Sequence, residues 1–364
     1  MIKIPSHIDA LQSYKPGKAV KNVFEGKGLK KTAILSSNEN NLGCSSKAIA
    51  AMQAAAQNIY LYPDPGSMDV KEILAKKINQ KPENIVLANG SDGILSLIFK
   101  TFFEPGDEVL SSEATFVAVE MYTKLNQIPF IKVPMAEGYR FDMETLTTKI
   151  TDKTKAVYLS NPNNPTGAMI TKAELESFMA KVPKNVLVIV DEAYFEYSGM
   201  LSDEYPDSLG YGWENVLTLR TFSKAYGLAG LRVGYGIGNP QLIDALSKVK
   251  LTFDPNFMAQ VAAAVALQDE AFLQKTVDHN QKGLAYFYKE FEKLGLNYVP
   301  SFGNFVMIDF GTEERAMEIF QTLFDRGVFI RPLKFFGLPH CVRISVGTMA
   351  ECELCVEKLK EVLG

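Results

Sequence analysis

Thr221-Phe222-Ser223-Lys224-Ala225-Tyr226-Gly227-Leu228-Ala229-Gly230-Leu231-Arg232 is the stretch that decides how this 364-residue chain is read. The run before it, Val216 to Leu219, is apolar and β-branched and reads as a buried strand. Lys224 then falls just past a strand end, where parallel α/β sheets bind their ligands. Partial desolvation and a nearby cation such as Arg232 lower a lysine's pKa, freeing the amine to condense with a carbonyl. The hydroxyls of Thr221 and Ser223, with Arg232, suit a phosphate. Lysine, hydroxyls and arginine together point to pyridoxal phosphate; the plain alternative is a surface lysine in a glycine-rich loop.

Other strand ends carry polar groups that fit one pocket. Val186 to Val190 is the cleanest buried strand, and Asp191 follows it directly. A buried carboxylate needs a cation or a strong donor. A protonated pyridine nitrogen would serve, and the pair would keep the ring an electron sink; a helix N-cap aspartate is the structural alternative. Tyr194, three residues on, is placed to donate to the cofactor's phenolic oxygen. Gly90-Ser91-Asp92 opens a helix, whose free amides and positive end hold phosphate. Phe116, just past another strand, can stack on a flat ring or join the core. Asn164 precedes Pro165, which holds it extended and aims its amide.

Around these residues strand and helix alternate from Ile85 onward, as in a mostly parallel sheet buried on both faces by helices. Thr171 and Glu174 form a capping box for a helix to Met179. Past about residue 250, helices at 257–267 and 270–294 and strands near 305–310 and 342–346 suggest a smaller α+β domain. The expected organisation is an N-terminal arm over residues 1–35, a large domain over 36–250 and a small C-terminal domain over 251–364.

Bulk properties exclude several classes. A net charge of −4 with no basic segment argues against nucleic-acid binding. No apolar run approaches the ~18 residues of a membrane span, and residues 1–7 carry no signal-peptide core. Four cysteines and three histidines, at these spacings, point to neither a disulfide framework nor a zinc site built on Cys352 and Cys355. A cytoplasmic protein with reduced, buried thiols and no metal is expected. The nearest dinucleotide fingerprint, Gly236-Ile237-Gly238-Asn239-Pro240-Gln241, lacks its third glycine.

Asn163-Asn164-Pro165-Thr166-Gly167, Asp191-Glu192-Ala193-Tyr194 and Ser223-Lys224 to Arg232 occur in the order seen in the class I/II aminotransferases, and the chain resembles that family of fold-type I pyridoxal-phosphate enzymes over nearly its whole length. It is most similar to the histidinol-phosphate branch, through Tyr14-Lys15-Pro16-Gly17-Lys18, Ser37-Asn38-Glu39-Asn40, Tyr62-Pro63-Asp64, Arg331-Pro332-Leu333 and Val342-Arg343-Ile344-Ser345. The resemblance implies an α/β fold, a pyridoxal 5′-phosphate cofactor bound covalently by Lys224, and a homodimer. Asp191 would pair with the ring nitrogen, Tyr194 and Asn164 hold the phenolic oxygen, and Phe116 stack on the ring. Ser91, Asp92, Thr221, Ser223 and Arg232 would take the phosphate, joined by Tyr62 of the other subunit.

By the same resemblance Arg343 would bind the substrate's acidic group, with Arg331 and Tyr14 toward its far end. The substrates would be a small amino donor and an oxo acid, histidinol phosphate with 2-oxoglutarate. Aromatic or other amino acids are the alternative, and a decarboxylase or lyase on the same fold is a third. Asn41, Ala114 and Gly93 depart from the branch's usual proline, proline and glutamate.

Overall fold

Two strips of sheet organise the chain, each built where consecutive apolar residues alternate between two buried faces. The computed structural model describes residues 2–11 and 20–364. The short strand β1 (Ala33–Ile34) comes first. Seven strands follow: β2 (Ile85–Ala88), β3 (Glu108–Ser112), β4 (Phe130–Val133), β5 (Thr154–Ser160), β6 (Leu187–Asp191), β7 (Val216–Thr221) and β8 (Gly234–Gly238). They make one sheet in the order β2-β8-β7-β6-β5-β3-β4. Only β8 runs against its neighbours, so the sheet is mostly parallel, as expected.

The period of two along these strands decides what lies on each face. Ala156, Tyr158, Leu187 and Ile189 face a core shared with the helices Gly90–Phe102 and Pro240–Val249. Val157, Leu159, Val188 and Val190 face the opposite side, under the helices Met143–Thr148 and Lys172–Met179. The helix Lys172–Met179 starts with the predicted capping box: Thr171 accepts from the Glu174 amide while Glu174 receives the Thr171 N–H. With both faces covered, all five residues of β6 are buried.

The second sheet is antiparallel, in the order β12 (Arg331–Pro332), β13 (Cys341–Ser345), β10 (Phe305–Asp309), β9 (Asn297–Val299). Its core takes one face of the helices Glu270–Lys293, Glu313–Asp325 and Met349–Leu363. Ala33 and Leu35 belong to that core, because β1 pairs in parallel with β11 (Val328–Phe329). The segment leading into β1 lies on the same body, with Phe24 against Phe324 and Lys27 2.6 Å from Asp325.

Residues 257–267 pack elsewhere than their position in the chain suggests. Ala259, Ala262, Ala263 and Ala266 share a core with Ile85, Leu87, Phe222 and Tyr235 of the large sheet. Four small residues on one face of the helix Phe257–Ala266 allow close approach to the helix Ser46–Ala55. Among the described residues no helix is long and apolar enough to cross a membrane.

Candidate active site

Strands β5, β6 and β7 end side by side at Ser160, Asp191 and Thr221. Because they are parallel, everything that follows each strand is delivered to one edge of the sheet. There a cleft of ≈ 120 Å³ is lined by Ser91, Asp92, Phe116, Asn164, Asp191, Tyr194, Thr221, Ser223, Lys224 and Arg232, with Ser160 and Ala193. A larger hollow of ≈ 360 Å³, lined in part by Glu196, Arg220 and Glu270, contains none of the residues singled out from sequence. Chemistry, not volume, distinguishes the two.

The Asp191 carboxylate is buried at the floor of the cleft. Tyr158 donates to its Oδ2 at 2.7 Å, and the Ala193 amide donates to Oδ1 at 3.2 Å. Burial raises its pKa to about 6, although both donors oppose the rise. It does not cap the next helix, whose N-cap is Tyr194. Its neighbour Glu192 turns away into a buried ion pair with Arg220 at 2.7 Å, and Arg220 also reaches Asp207.

Lys224 is half-buried, and its Nζ donates to the Ser37 carbonyl at 3.2 Å. Burial, then the positive charge of Arg343, lower its pKa to about 8; Arg232 adds to this and Glu39 opposes it. At pH 7 about one such lysine in ten is neutral, against about three in ten thousand for an ordinary one. The amine is thus available for attack on a carbonyl near neutral pH.

Tyr194 and Asn164 are held by groups that leave each a hydrogen to donate. Ser345 Oγ accepts from the Asn38 amide at 2.9 Å and donates to Asn38 Oδ1 at 2.8 Å. That orients Asn38 so its Nδ2 donates to the Tyr194 hydroxyl oxygen at 2.8 Å. Arg343 donates to Asn164 Oδ1 in the same way, leaving Nδ2 as the donor. Two donors then converge on a site suited to an anionic oxygen.

At the other end, Gly90 opens the helix Gly90–Phe102 with φ +80°, and an added Cβ would lie 2.9 Å from Arg232 Nη2. Gly234 is as tight: its Cβ would stand 2.5 Å from the Ser91 amide nitrogen. Arg232, in a left-handed conformation at φ +54°, donates to Ser223 Oγ at 3.4 Å, and Thr221 Oγ1 donates to the same hydroxyl at 3.0 Å. Arg232 makes no ion pair among the described residues. Helix amides, two hydroxyls and an unpaired guanidinium form a cradle for a phosphate. Asp92 lines it too, with Oδ1 buried and without a partner among the described residues; its amide, not its carboxylate, suits an anion.

Arg343 is buried on β13, directly across from Arg331 of β12. Both donate to the Ser36 carbonyl, Arg343 Nη2 at 2.9 Å and Arg331 Nε at 3.1 Å. Among the described residues no carboxylate pairs with Arg343, and its Nε has no partner. Burial lowers its pKa to about 10, as for a cation awaiting an anion.

One expected residue, Tyr62, lies apart from the cleft. Tyr14 is outside the described residues. Tyr62 is exposed, stacked on Phe253 with ring centroids 4.0 Å apart, and does not line the cleft of its own chain. Three contributors had no assigned role from sequence: Tyr158, Asn38 and Ser345. Tyr158 reads as a core aromatic in a strand, and only the pairing of β5 with β6 brings it beside Asp191. Asn38 was visible only within the Ser37-Asn38-Glu39-Asn40 run that carries the resemblance, and it takes φ +54°. The departures from the family pattern are structural: Asn41 donates to both carboxylate oxygens of Glu351 at 2.9 Å, and the buried Ala114 offers its carbonyl to Asn163.

A lysine facing a buried carboxylate, two aligned donors and a phosphate cradle, all at the carboxyl edge of a parallel sheet, define the fold-type I pyridoxal-phosphate class. The chain belongs to the aminotransferase class I and II family, whose model matches residues 30–359. A histidinol-phosphate aminotransferase of Moorella thermoacetica is 42% identical over 358 residues, covering 98% of this chain and 92% of that protein. Among solved structures, the histidinol-phosphate aminotransferase of Sinorhizobium meliloti in complex with pyridoxal-5′-phosphate is similar with a TM-score of 0.90 at 30% identity, over 100% of this chain and 98% of that one. A double mutant of Thermus thermophilus aspartate aminotransferase has a TM-score of 0.87 at 25% identity over the whole of both chains. One fold thus serves different amino donors.

Proposed function

We propose that this chain transfers an amino group between histidinol phosphate and 2-oxoglutarate, giving imidazole-acetol phosphate and glutamate, with pyridoxal 5′-phosphate in the cleft. The observation that carries the chemistry is the pairing in one cleft of Lys224, its pKa lowered to about 8, with the buried Asp191 carboxylate. Bound there, pyridoxal phosphate supplies the carbonyl that takes up the amino group and the electron sink for the pair left at the substrate's Cα.

The chain's own residues do the rest. Lys224 would hold the cofactor, and its amine would take up and return the proton at the substrate's Cα. Asp191, kept ionised by Tyr158 and the Ala193 amide, stabilises positive charge on the ring nitrogen. Tyr194 and Asn164 donate to the phenolic oxygen, Phe116 covers the ring, and Ser91, Asp92, Thr221, Ser223 and Arg232 take the phosphate. Arg343 and Arg331, side by side across β13 and β12, suit a phosphate on the substrate, and the substrate reading is supported further by the full-length relatives of that activity. The small sheet, which carries both arginines, meets the cleft where Arg343 donates to Asn164.

A second copy completes the site in this reading. Ile59, Tyr60, Leu61, Tyr62 and Leu251 form an exposed apolar group, larger than a scatter of single residues. It would be buried against a partner whose phosphate cradle Tyr62 reaches. Four free thiols, three of them fully buried, suit a reducing cytoplasm.

Single-turnover reactions of the purified holoenzyme with histidinol phosphate, tyrosine, phenylalanine and threonine phosphate test the substrate. Histidinol phosphate should bleach the cofactor's visible band with a kcat/KM at least about tenfold above the others, ~1.4 kcal/mol in the barrier. Preference for tyrosine or phenylalanine would make it an aromatic aminotransferase, and carbon dioxide release a decarboxylase. Lys224→Ala should lose turnover in every case.

A further inference from the structure

A second set of converging donors lies where the small sheet meets the turn after β4 of the large sheet. Asp309, at the end of β10, faces Cys341, at the start of β13, in cross-strand register, and His340 precedes Cys341. A carboxylate oxygen, a ring nitrogen and the sulfur of these three residues all lie within 4.8 Å of one another. The Tyr139 hydroxyl, from the turn after β4 in the larger body, stands among them. It donates to Asp309 Oδ2 at 2.7 Å, lies 3.1 Å from His340 Nε2 and receives the Cys341 thiol at 3.9 Å. Tyr139 adopts φ +59°, a backbone conformation that a bulky residue rarely takes. The Gly311 amide at 2.7 Å and Asn297 Nδ2 at 3.3 Å fix the orientation of the Asp309 carboxylate.

Oxygen, nitrogen and sulfur donors from Asp, His and Cys are the set that selects zinc; magnesium and calcium reject the sulfur. Zinc bonds of about 2.0–2.3 Å put tetrahedral donors about 3.3–3.8 Å apart, so each side chain here closes by roughly an ångström. The position at the centre is the one the Tyr139 hydroxyl now fills. We propose that Asp309, His340 and Cys341 bind one zinc ion, with Tyr139 retreating by a bond length to become the fourth ligand, so that the ion clasps the turn carrying Tyr139 to the small sheet.

Zinc titration of chelator-stripped holoenzyme, followed by calorimetry and by metal content after dialysis, tests this without reference to turnover. One zinc per chain with a Kd of about 1 μM or tighter is expected. Asp309→Ala, His340→Gln and Cys341→Ser should each weaken it at least about tenfold, and His340→Gln, on a half-buried ring, also serves should Cys341→Ser fail to fold. Cobalt-loaded minus stripped protein should show a thiolate charge-transfer band that Cys341→Ser removes. Unchanged uptake by His340→Gln and Asp309→Ala, or no uptake by the wild type, overturns the site. Undiminished affinity in Tyr139→Phe overturns the clasp, since the ion would then belong to the small sheet alone.

Discussion

Asp191 and Lys224 are each poised by burial against their charged forms, and each makes a separable prediction. Asp191 has a pKa raised from 3.8 to about 6 in the cofactor-free protein. A raised acid favours the folded state when protonated, so this contribution is present below pH 3.8 and lost as pH rises through 6. The two-unit shift corresponds to about 3 kcal/mol. Asp191→Asn should therefore stabilise the cofactor-free protein at pH 8 by about 1–2 kcal/mol in urea melts, while slowing turnover at least a hundredfold, about 2.7 kcal/mol in the barrier. Equal rates would contradict the ion pair with the ring nitrogen.

For Lys224 the sign is opposite. Its lowered pKa makes cofactor capture by the stripped protein rise with pH, with a midpoint at about 8. Arg343→Met removes the second-largest cause of the shift, and the midpoint followed by absorbance should move upward. A wild-type midpoint near 10.5 would mean that the amine is solvated.

At the scale of elements, Glu192, just past β6, and Arg220 of β7 form a buried charge pair, each one residue from the site. Arg220 and Glu192 are 2% and 0% exposed, and Phe195 covers the guanidinium at 3.3 Å. Arg220→Met leaves Glu192 charged and dry, which should destabilise the protein by about 3–5 kcal/mol in denaturant melts. A loss below 1 kcal/mol would show that water or Ser208 compensates. The strands themselves were legible, since runs such as Val186 to Val190 are too apolar to be anything but buried. The capping box at Thr171 was equally legible, because it needs only residues three apart. The placement of the helix Phe257–Ala266 against the large sheet was not: alanines on a helix face say that something approaches closely, without saying what.

For the whole molecule, the exposed group around Tyr62 is the proposed assembly surface. Tyr62→Ala should leave the sedimentation of a dimer unchanged, because its neighbours still cover the interface, while weakening cofactor retention about five- to tenfold, roughly 1–1.4 kcal/mol for a lost hydrogen bond to phosphate. A monomer with full cofactor affinity would place Tyr62 outside any partner's site.

Local order in the chain was enough to determine the alternation of strand and helix and to place Asn164, Asp191, Tyr194 and Lys224 each at or just past the end of its own strand, with Arg232 farther along the stretch that begins at Thr221. These follow from residues adjacent along one strand and its following loop, where covalent geometry does the positioning. Tertiary pairing alone decided that Tyr158 steadies Asp191, that Ser345 orients Asn38 toward Tyr194, that Arg331 stands beside Arg343, and that Asp309, His340 and Cys341 meet Tyr139. Each of these joins residues far apart in the chain through strand register or the meeting of two bodies, and register is set by the summed packing of the core, which no short stretch contains.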